Sequence, residues 1–273
     1  MRKISFYSAG GLGNLLFMLA NAYNLSLKYK LELVIYKNNR DTNQNNTKRK
    51  LIDEYAIFKK FNVLCDDNTF NNFHNYHENG FYFQTPMLDY NQNYNLHGYY
   101  QSWKYFEDNF HDFKKLLVNN YEIHINDYLN DIKNKCNNNP IVSIHFRRTD
   151  YLKHPNFHLN LDMNYYVKAL NNFDKENNIF LFFSDDIEWV KKQKFDNLKN
   201  KIYVDDPNEE YNLWLMSKCD HNIIANSSFS LWASYLNENL NKKVVSPSRW
   251  FGPSGPDHNI HDIVLDNYII INI

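Results

Sequence analysis

Two guanidinium groups, an imidazole and a carboxylate crowd into one short run, I-V-S-I-H-F-R-R-T-D-Y from Ile141 to Tyr151. Burying Arg147, Arg148, His145 and Asp150 unpaired would be too costly, so they open onto solvent or onto a charged ligand, and an anion is the natural candidate. A surface ion-pair cluster is the competing reading. Three further polar segments have similar potential: S-D-D at 184–186, D-D at 205–206 and N-S-S-F-S at 226–230. The last opens a helix, so the backbone N–H groups and hydroxyls of Ser227 and Ser228 make a phosphate seat, the plain alternative being an N-cap without a ligand. Asp185 or Asp186 can accept hydrogen bonds from a nucleobase or ribose, and paired acids can also hold a divalent cation. No D-x-D occurs, and two arginines with a helix terminus neutralise a diphosphate, so no metal is expected.

The elements that would position these groups follow from the hydrophobic pattern. Residues 141–146 read as a buried parallel strand, ahead of a helix from Asp162 to Phe173. Strands at 179–183, 201–204, 222–225 and 243–246 alternate with helices starting near Ile187 and Glu209 and one that follows N-S-S-F-S and runs through Asn237. Such alternation predicts an α/β fold with a doubly wound parallel sheet, whose strands all deliver their following loops to one edge. The Asn-rich run K-N-K-C-N-N-N-P at 133–140 reads as a linker, giving an N-terminal domain 1–138 and a C-terminal domain 139–273 whose final segment can return to the first domain.

In the first domain a strand at 3–8 leads into A-G-G-L-G-N and a helix at 15–29. After Gly11 and Gly13 the third glycine of a dinucleotide fingerprint is missing, Leu16 standing there, so a Rossmann cofactor is not expected. What remains is a loop through which backbone approaches a ligand, or a plain tight turn, with Asn14 capping the helix or pointing outward. A strand at 31–36, a polar loop at 38–50, a helix at 51–61, a strand near 80–84, and a strand ending at Gly98 with Ser102 as the next N-cap complete the reading.

Composition sets outer bounds. A net charge of -1 over 273 residues and a pI near 6.8 supply no broad positive field, which argues against a nucleic-acid partner. Three scattered cysteines, Cys65, Cys136 and Cys219, indicate neither a disulfide framework nor a zinc site, so a reducing, cytoplasmic setting is expected. No window of about 18 apolar residues appears, so no membrane span is expected, a peripheral membrane contact being left open. Aromatic residues make up 17% of the chain, which suits carbohydrate stacking but follows equally from a genome rich in A and T.

With those residues on the page, the chain resembles glycosyltransferase family 11, the α-1,2-fucosyltransferases, over most of its length. The matching segments are G-G-L-G-N at 10–14, G-Y-Y-Q-S-W-K-Y-F at 98–106, H-F-R-R-T-D-Y at 145–151, F-S-D-D at 183–186, L-M-S-K-C-D-H-N-I-I-A-N-S-S-F-S at 215–230 and P-S-R-W-F at 247–251. The resemblance implies a GT-B-like pair of Rossmann-like domains facing a cleft, with GDP-fucose as donor and an oligosaccharide or glycan as acceptor. It also implies inversion at the anomeric carbon, O2 of a terminal galactose as acceptor atom, and no obligatory metal. Carried over, it puts Arg147, Arg148 and Asp150 in the chemistry, and His145, Ser184, Asp185, Asn226, Ser227, Ser228 and Phe229 around the donor. Gly11, Gly13 and Asn14 would bring the first domain against fucose and acceptor. For the general base, Asp150 comes first, followed by His154 and His158. The chain departs from the family pattern at Leu15, Thr149 and Leu231, where the family has Gln, Gly and Trp. Another nucleotide sugar on the same architecture, or a carbohydrate-binding protein without transfer, are the alternatives; a nucleotide hydrolase is disfavoured by the absence of a P-loop.

Overall fold

The computed structural model describes residues 2–36, 50–64, 72–256 and 260–273. The chain divides into two compact units, Met1–Asn120 and Tyr121–Ile273. Each is an α/β unit built on a parallel sheet.

Unit 1 holds a sheet of β1 (Lys3–Phe6), β2 (Glu32–Leu33), β5 (Phe73–His77) and β6 (Asn93–His97), in the order β2-β1-β6-β5 and parallel throughout. A separate parallel pair joins β3 (Ile35–Tyr36) to β4 (Val63–Leu64). Helix α1 (Leu12–Tyr29) buries Leu15, Leu16, Phe17, Met18 and Leu19, and ends where Lys30 turns left-handed at φ 54. Helix α2 (Phe110–Leu116) closes the unit and buries Phe113. Two expectations differ here. Instead of one helix over 51–61 there are two 3-10 turns, Ile52–Glu54 and Ala56–Phe58, separated by an extended Tyr55. No strand forms at 80–84; the edge strand lies at Phe73–His77. The polar loop read at 38–50 falls almost wholly outside the described residues.

Unit 2 opens with α3 (Glu122–Lys135), then β7 (Ile141–Phe146), α4 (Thr149–Lys153), α5 (Met163–Leu170) and β8 (Ile179–Ser184). It continues with α6 (Ile187–Lys191), β9 (Asn200–Tyr203), α7 (Glu209–Ser217), β10 (His221–Ile223), α8 (Ser228–Leu236), β11 (Val244–Pro247) and β12 (Ile269–Ile271). The sheet order is β12-β11-β10-β7-β8-β9, all parallel, so the expected doubly wound sheet is present. β7 is central and buried at all six positions, which is why it reads as a continuous apolar run. Alternation along it sends Val142, Ile144 and Phe146 into a core with Tyr165, Tyr166, Phe180 and Phe182, while Ser143 and His145 face the other layer.

The boundary thus lies at Asn120/Tyr121, where the sequence placed it at 138/139. Helix α3 belongs to unit 2 because its apolar stripe of Ile125, Leu129 and Ile132 is buried there, Lys133 pairs with Asp220 at 2.9 Å, and that same carboxylate takes the Ile141 N–H at 2.8 Å. The Asn-rich run is the helix's stop, Asn137 and Asn138 sitting left-handed at φ 55 and 58, a conformation asparagine tolerates. Nor does the last segment return to the first unit: β12 adds to the sheet of unit 2 beside β11. Its three isoleucines are too short a run to show in the sequence which strand they would join.

Candidate active site

The end of β7 sends its two arginines to opposite sides. Continuing the strand's alternation, Arg148 follows Phe146 and lies over the Trp189 ring of α6 at 3.4 Å, with Nε 3.3 Å from Asp186. Arg147 follows His145: Nη2 donates to Asp150 at 2.5 Å, Nη1 lies 3.2 Å from Asp185, and the guanidinium sits over the Tyr151 ring at 5.7 Å. Burial alone would favour losing the Arg147 charge, but Asp185 and then Asp150 outweigh it and hold the group firmly protonated. The pair is therefore no double clamp.

Asp185 organises the turn that carries them. Oδ1 accepts the Arg148 N–H at 2.9 Å, and Oδ2 accepts the Thr149 N–H at 3.2 Å and the Thr149 hydroxyl at 2.6 Å. With the Arg147 contact added, this carboxylate is largely committed to the loop, where sequence reasoning aimed it at the nucleoside. Thr149, one of the departures from the family pattern, supplies the shortest of these bonds. Asp186 caps α6 through the Trp189 N–H at 3.3 Å, and the Ser184 hydroxyl accepts the Asp186 N–H at 2.9 Å, so both serve the next turn. Asp205 and Asp206 lie past the edge strand β9: Asp205 is 3.4 Å from Lys191, and Asp206 takes the Asn208 N–H.

The second half of the site is the start of α8. Tyr151 bridges to it, its hydroxyl donating to the Asn226 carbonyl at 2.8 Å and bonding Ser227 as well. Burial raises the phenol's pKa well above its usual value, so it remains a neutral donor. The Asn226 amide is spent inward, on the carbonyls of Leu159 at 2.9 Å and Trp250 at 2.7 Å, which fixes the loop before the helix. Ser227 is the N-cap residue, yet its side chain makes no cap bond to the helix, so α8 begins at Ser228 and Phe229 without a side-chain cap from Ser227. The Phe229 ring packs 5.6 Å from that of His145.

His145 itself is buried, with Nδ1 sealed from solvent and unpartnered. Burial, helped by Arg147 and opposed by Asp185, pushes its pKa down to about 4, so it brings no positive charge at neutral pH. Of the other histidines, His154 is exposed, and His158 stacks on Tyr151 at 4.1 Å and bridges to Phe251. Gly252 and Gly255 bring the segment after β11 so close that an added Cβ would meet Asn156 O at 2.6 Å and Phe251 Cβ at 2.5 Å.

The structure thus brings His145, Arg147, Arg148, Asp150, Ser184, Asp185, Asn226, Ser227, Ser228 and Phe229 to one edge of one sheet. Gly11, Gly13 and Asn14 lie in unit 1, at the start of α1, where Asn14 Oδ1 accepts from Gln101 at 2.8 Å. The glycine that the turn demands is their neighbour Gly10, at φ 75, where a Cβ would collide with the Asn14 side chain at 2.2 Å. Leu15 and Leu231 are fully buried core residues, so these departures alter packing. Sequence reasoning missed Tyr151 and Trp189. The signals were their spacings, four residues after Arg147 and three after Asp186. Among the described residues no group of three or more His, Cys, Asp or Glu is arranged to hold a metal ion, and no helix is long and apolar enough to cross a membrane.

Residues 6–253 match the family described as Glycosyl transferase family 11. The chain belongs to that family. Among its relatives, the O-antigen biosynthesis glycosyltransferase WbnK of Escherichia coli is 37% identical over 142 residues, 49% of this chain and 45% of that protein. An alpha-1,2-colitosyltransferase of Escherichia coli is 34% identical over 125 residues, 43% and 42% of the two chains. The family 11 chain so spans less than half the length of these relatives. Of the solved structures, the fucosyltransferase NodZ from Bradyrhizobium is similar at a TM-score of 0.51 and 14% identity, over 86% of this chain and 93% of that one. NodZ soaked with GDP-fucose gives 0.51 and 13%, over 86% and 92%. At such identities the likeness is one of fold, and it makes the α/β architecture GT-B-like.

Proposed function

We propose that the chain is an inverting glycosyltransferase that moves L-fucose from GDP-β-L-fucose to a sugar hydroxyl, O2 of a terminal galactose, giving an α-1,2 linkage. The observation that carries the reading is the junction of Arg147 with the start of α8 through Tyr151. A guanidinium with five N–H donors, two of which face carboxylates, lies over the Tyr151 ring, whose hydroxyl bonds the residue before the helix start, and guanidinium and helix start together suit a diphosphate. When the bond between the fucosyl carbon and the β-phosphate oxygen breaks, its electron pair stays on GDP. Each donor aimed at that charge contributes roughly 2.7–4 kcal/mol to lowering the barrier. The GDP-fucose soak of the NodZ structure supports this choice of donor.

The acceptor oxygen attacks the opposite face of the sugar and gives its proton to a base. Asp150 is already engaged by Arg147 at 2.5 Å, so its carboxylate serves the arginine in this reading. His158 is the base of this reading: burial lowers its pKa below the usual histidine value, which keeps the ring neutral at pH 7. No metal takes part. The free thiols Cys136 and Cys219 fit a cytoplasmic setting.

The test begins with GDP and UDP titrations of the purified protein, followed by incubation with GDP-fucose and a panel of galactose-terminated acceptors, with and without chelator. GDP binding, chelator-resistant transfer and loss of nearly all activity in Arg147→Ala with the fold intact are expected; near-normal activity in that variant removes the phosphate role. His158→Asn should lower kcat by about 10²-fold or more. The name of the colitosyltransferase relative favours a second reading, transfer of a different nucleotide-linked deoxy sugar. Donor competition separates the two. A carbohydrate-binding protein without transfer predicts no GDP affinity at all.

A further inference from the structure

One short turn of unit 1 holds two residues with left-handed backbone. Just past β6, Gly98 stands at φ 146, and two residues on Tyr100 stands at φ 49, a conformation that a residue with so large a side chain seldom adopts. Such a turn persists only where its surroundings over-determine it. The first of those surroundings is a carboxylate. Glu78, the residue after β5, reaches across to the end of the neighbouring strand: its backbone N–H donates to the His97 carbonyl at 2.7 Å, and its Oε2 accepts the N–H groups of Tyr99 at 2.8 Å and Tyr100 at 2.9 Å. The Tyr105 hydroxyl bonds the same carboxylate. It fits because residue 98 lacks a side chain; a Cβ there would lie 2.4 Å from Glu78 Cβ and 2.6 Å from Oε2.

The rings of the turn fix its other side. Tyr100 is buried, packs edge-on against Tyr105 at 5.2 Å, and its hydroxyl lies 3.4 Å from the carbonyls of Tyr76 and His97. Its own carbonyl accepts the Ser102 N–H at 2.8 Å, which leaves Gln101 between two fixed neighbours. Gln101 then donates to Asn14 Oδ1 at 2.8 Å, at the start of α1. A chain of contacts thus runs from the end of β5 through the turn after β6 to the G-G-L-G-N turn.

We propose that Glu78 is a positioning residue, a clasp that holds the turn after β6 in its left-handed form and so sets Gln101 against Asn14. That this arrangement serves sugar transfer rests on the transferase reading above, whereas the clasp itself does not. The titratable groups around the carboxylate are the phenols of Tyr76, Tyr100 and Tyr105, with His77 and His97 beside it at the strand ends, stacked on each other at 4.7 Å and continued by Tyr7 on His97 at 5.4 Å. Burial outweighs the bonds from Tyr100, Tyr99 and Tyr105 and raises the carboxyl pKa to about 7, so the clasp is tightest when protonated and loosens as pH rises through that value.

The experiment follows amide exchange by NMR in the full chain, and transfer from GDP-fucose to lactose, in wild type, Glu78→Ala, Glu78→Gln and Gln101→Ala, with GDP affinity as the control on unit 2. Glu78→Ala should lower the protection of the Tyr99 and Tyr100 amides at least tenfold and raise the KM for lactose about tenfold, or 1.4 kcal/mol, with a smaller change in kcat. Glu78→Gln keeps an acceptor oxygen in place and should restore both to within threefold of wild type, while Gln101→Ala raises KM with those amides still protected. GDP affinity stays within twofold throughout. Should Glu78→Ala fail to fold, a pH series decides: between pH 6 and 8.5, corrected for intrinsic exchange, protection of the two amides falls in wild type and holds in Glu78→Gln. Equal protection in wild type and Glu78→Ala, or the same pH trend in wild type and Glu78→Gln, overturns the clasp. Altered exchange with an unchanged KM overturns its positioning role. The expected exchange pattern in a protein that transfers nothing would sustain the clasp and sink the transferase reading.

Discussion

Asp185 sits where a nucleoside ligand would be sought, but its bonds all run to Arg147, Arg148 and Thr149. Those bonds suit a positioning role under the proposed function, and the two roles predict different losses. Asp185→Asn keeps the shape but removes the charge facing Arg147, and should cost about 1–3 kcal/mol of stability in unit 2. It should weaken pyrophosphate and GDP alike, by about tenfold or 1.4 kcal/mol. If pyrophosphate binding were untouched while GDP weakened, Asp185 would have to be returned to the nucleoside. The spacing R-R-x-D made the charged cluster legible, but not its pairing. Which oxygen meets which nitrogen depends on the alternation of β7, the stagger against β8 and the side of the sheet that α6 occupies.

At the scale of elements, the site is the meeting of β7's end with the start of α8, and Tyr151 on the short helix α4 joins them. Tyr151→Phe keeps the ring under Arg147 and removes the hydroxyl, leaving the Asn226 carbonyl and Ser227 without that bond. The expected cost is about 1–3 kcal/mol in unfolding free energy, seen as a lower midpoint in urea. The KM for the donor should rise with a smaller change in kcat, because the helix start loosens without losing its own N–H groups. An unchanged donor KM would mean that α8 is held in place by its buried apolar face alone. Strands 141–146 and 179–184 could be read almost to the residue, since a buried parallel strand leaves a run of β-branched and aromatic residues between polar turns. β5 and β12 were missed for the opposite reason. Phe73–His77 is a half-exposed edge strand of aromatic and polar residues, and Ile269–Ile271 is too short to show a period.

For the whole molecule the two units carry opposite pH dependences. Burial, against the bonds from Tyr100 and Tyr99, raises the Glu78 pKa from 4.5 to about 7, so its contribution is fully present below pH 4.5 and is lost as pH rises through about 7. His145 is depressed from 6.5 to about 4, so its contribution is present above pH 6.5 and is lost as pH falls towards 4. Between pH 7.5 and 5, hydrogen exchange under mild denaturant should show unit 1 gaining protection relative to unit 2. Glu78→Gln should flatten the first trend and His145→Asn the second; persistence of both trends in the variants would place their cause elsewhere. The sequence by itself determined the α/β class, the parallel sheet of the second unit and the stretch where the charges gather, because apolar period and turn chemistry are local properties of a chain. Only the tertiary structure decided that Arg147 and Arg148 part company, that helix α3 opens the second unit, and that Tyr7, His97 and His77 align from three distant strands. Those are matters of register and of which face packs against which, and they are settled by contacts between residues far apart in the chain.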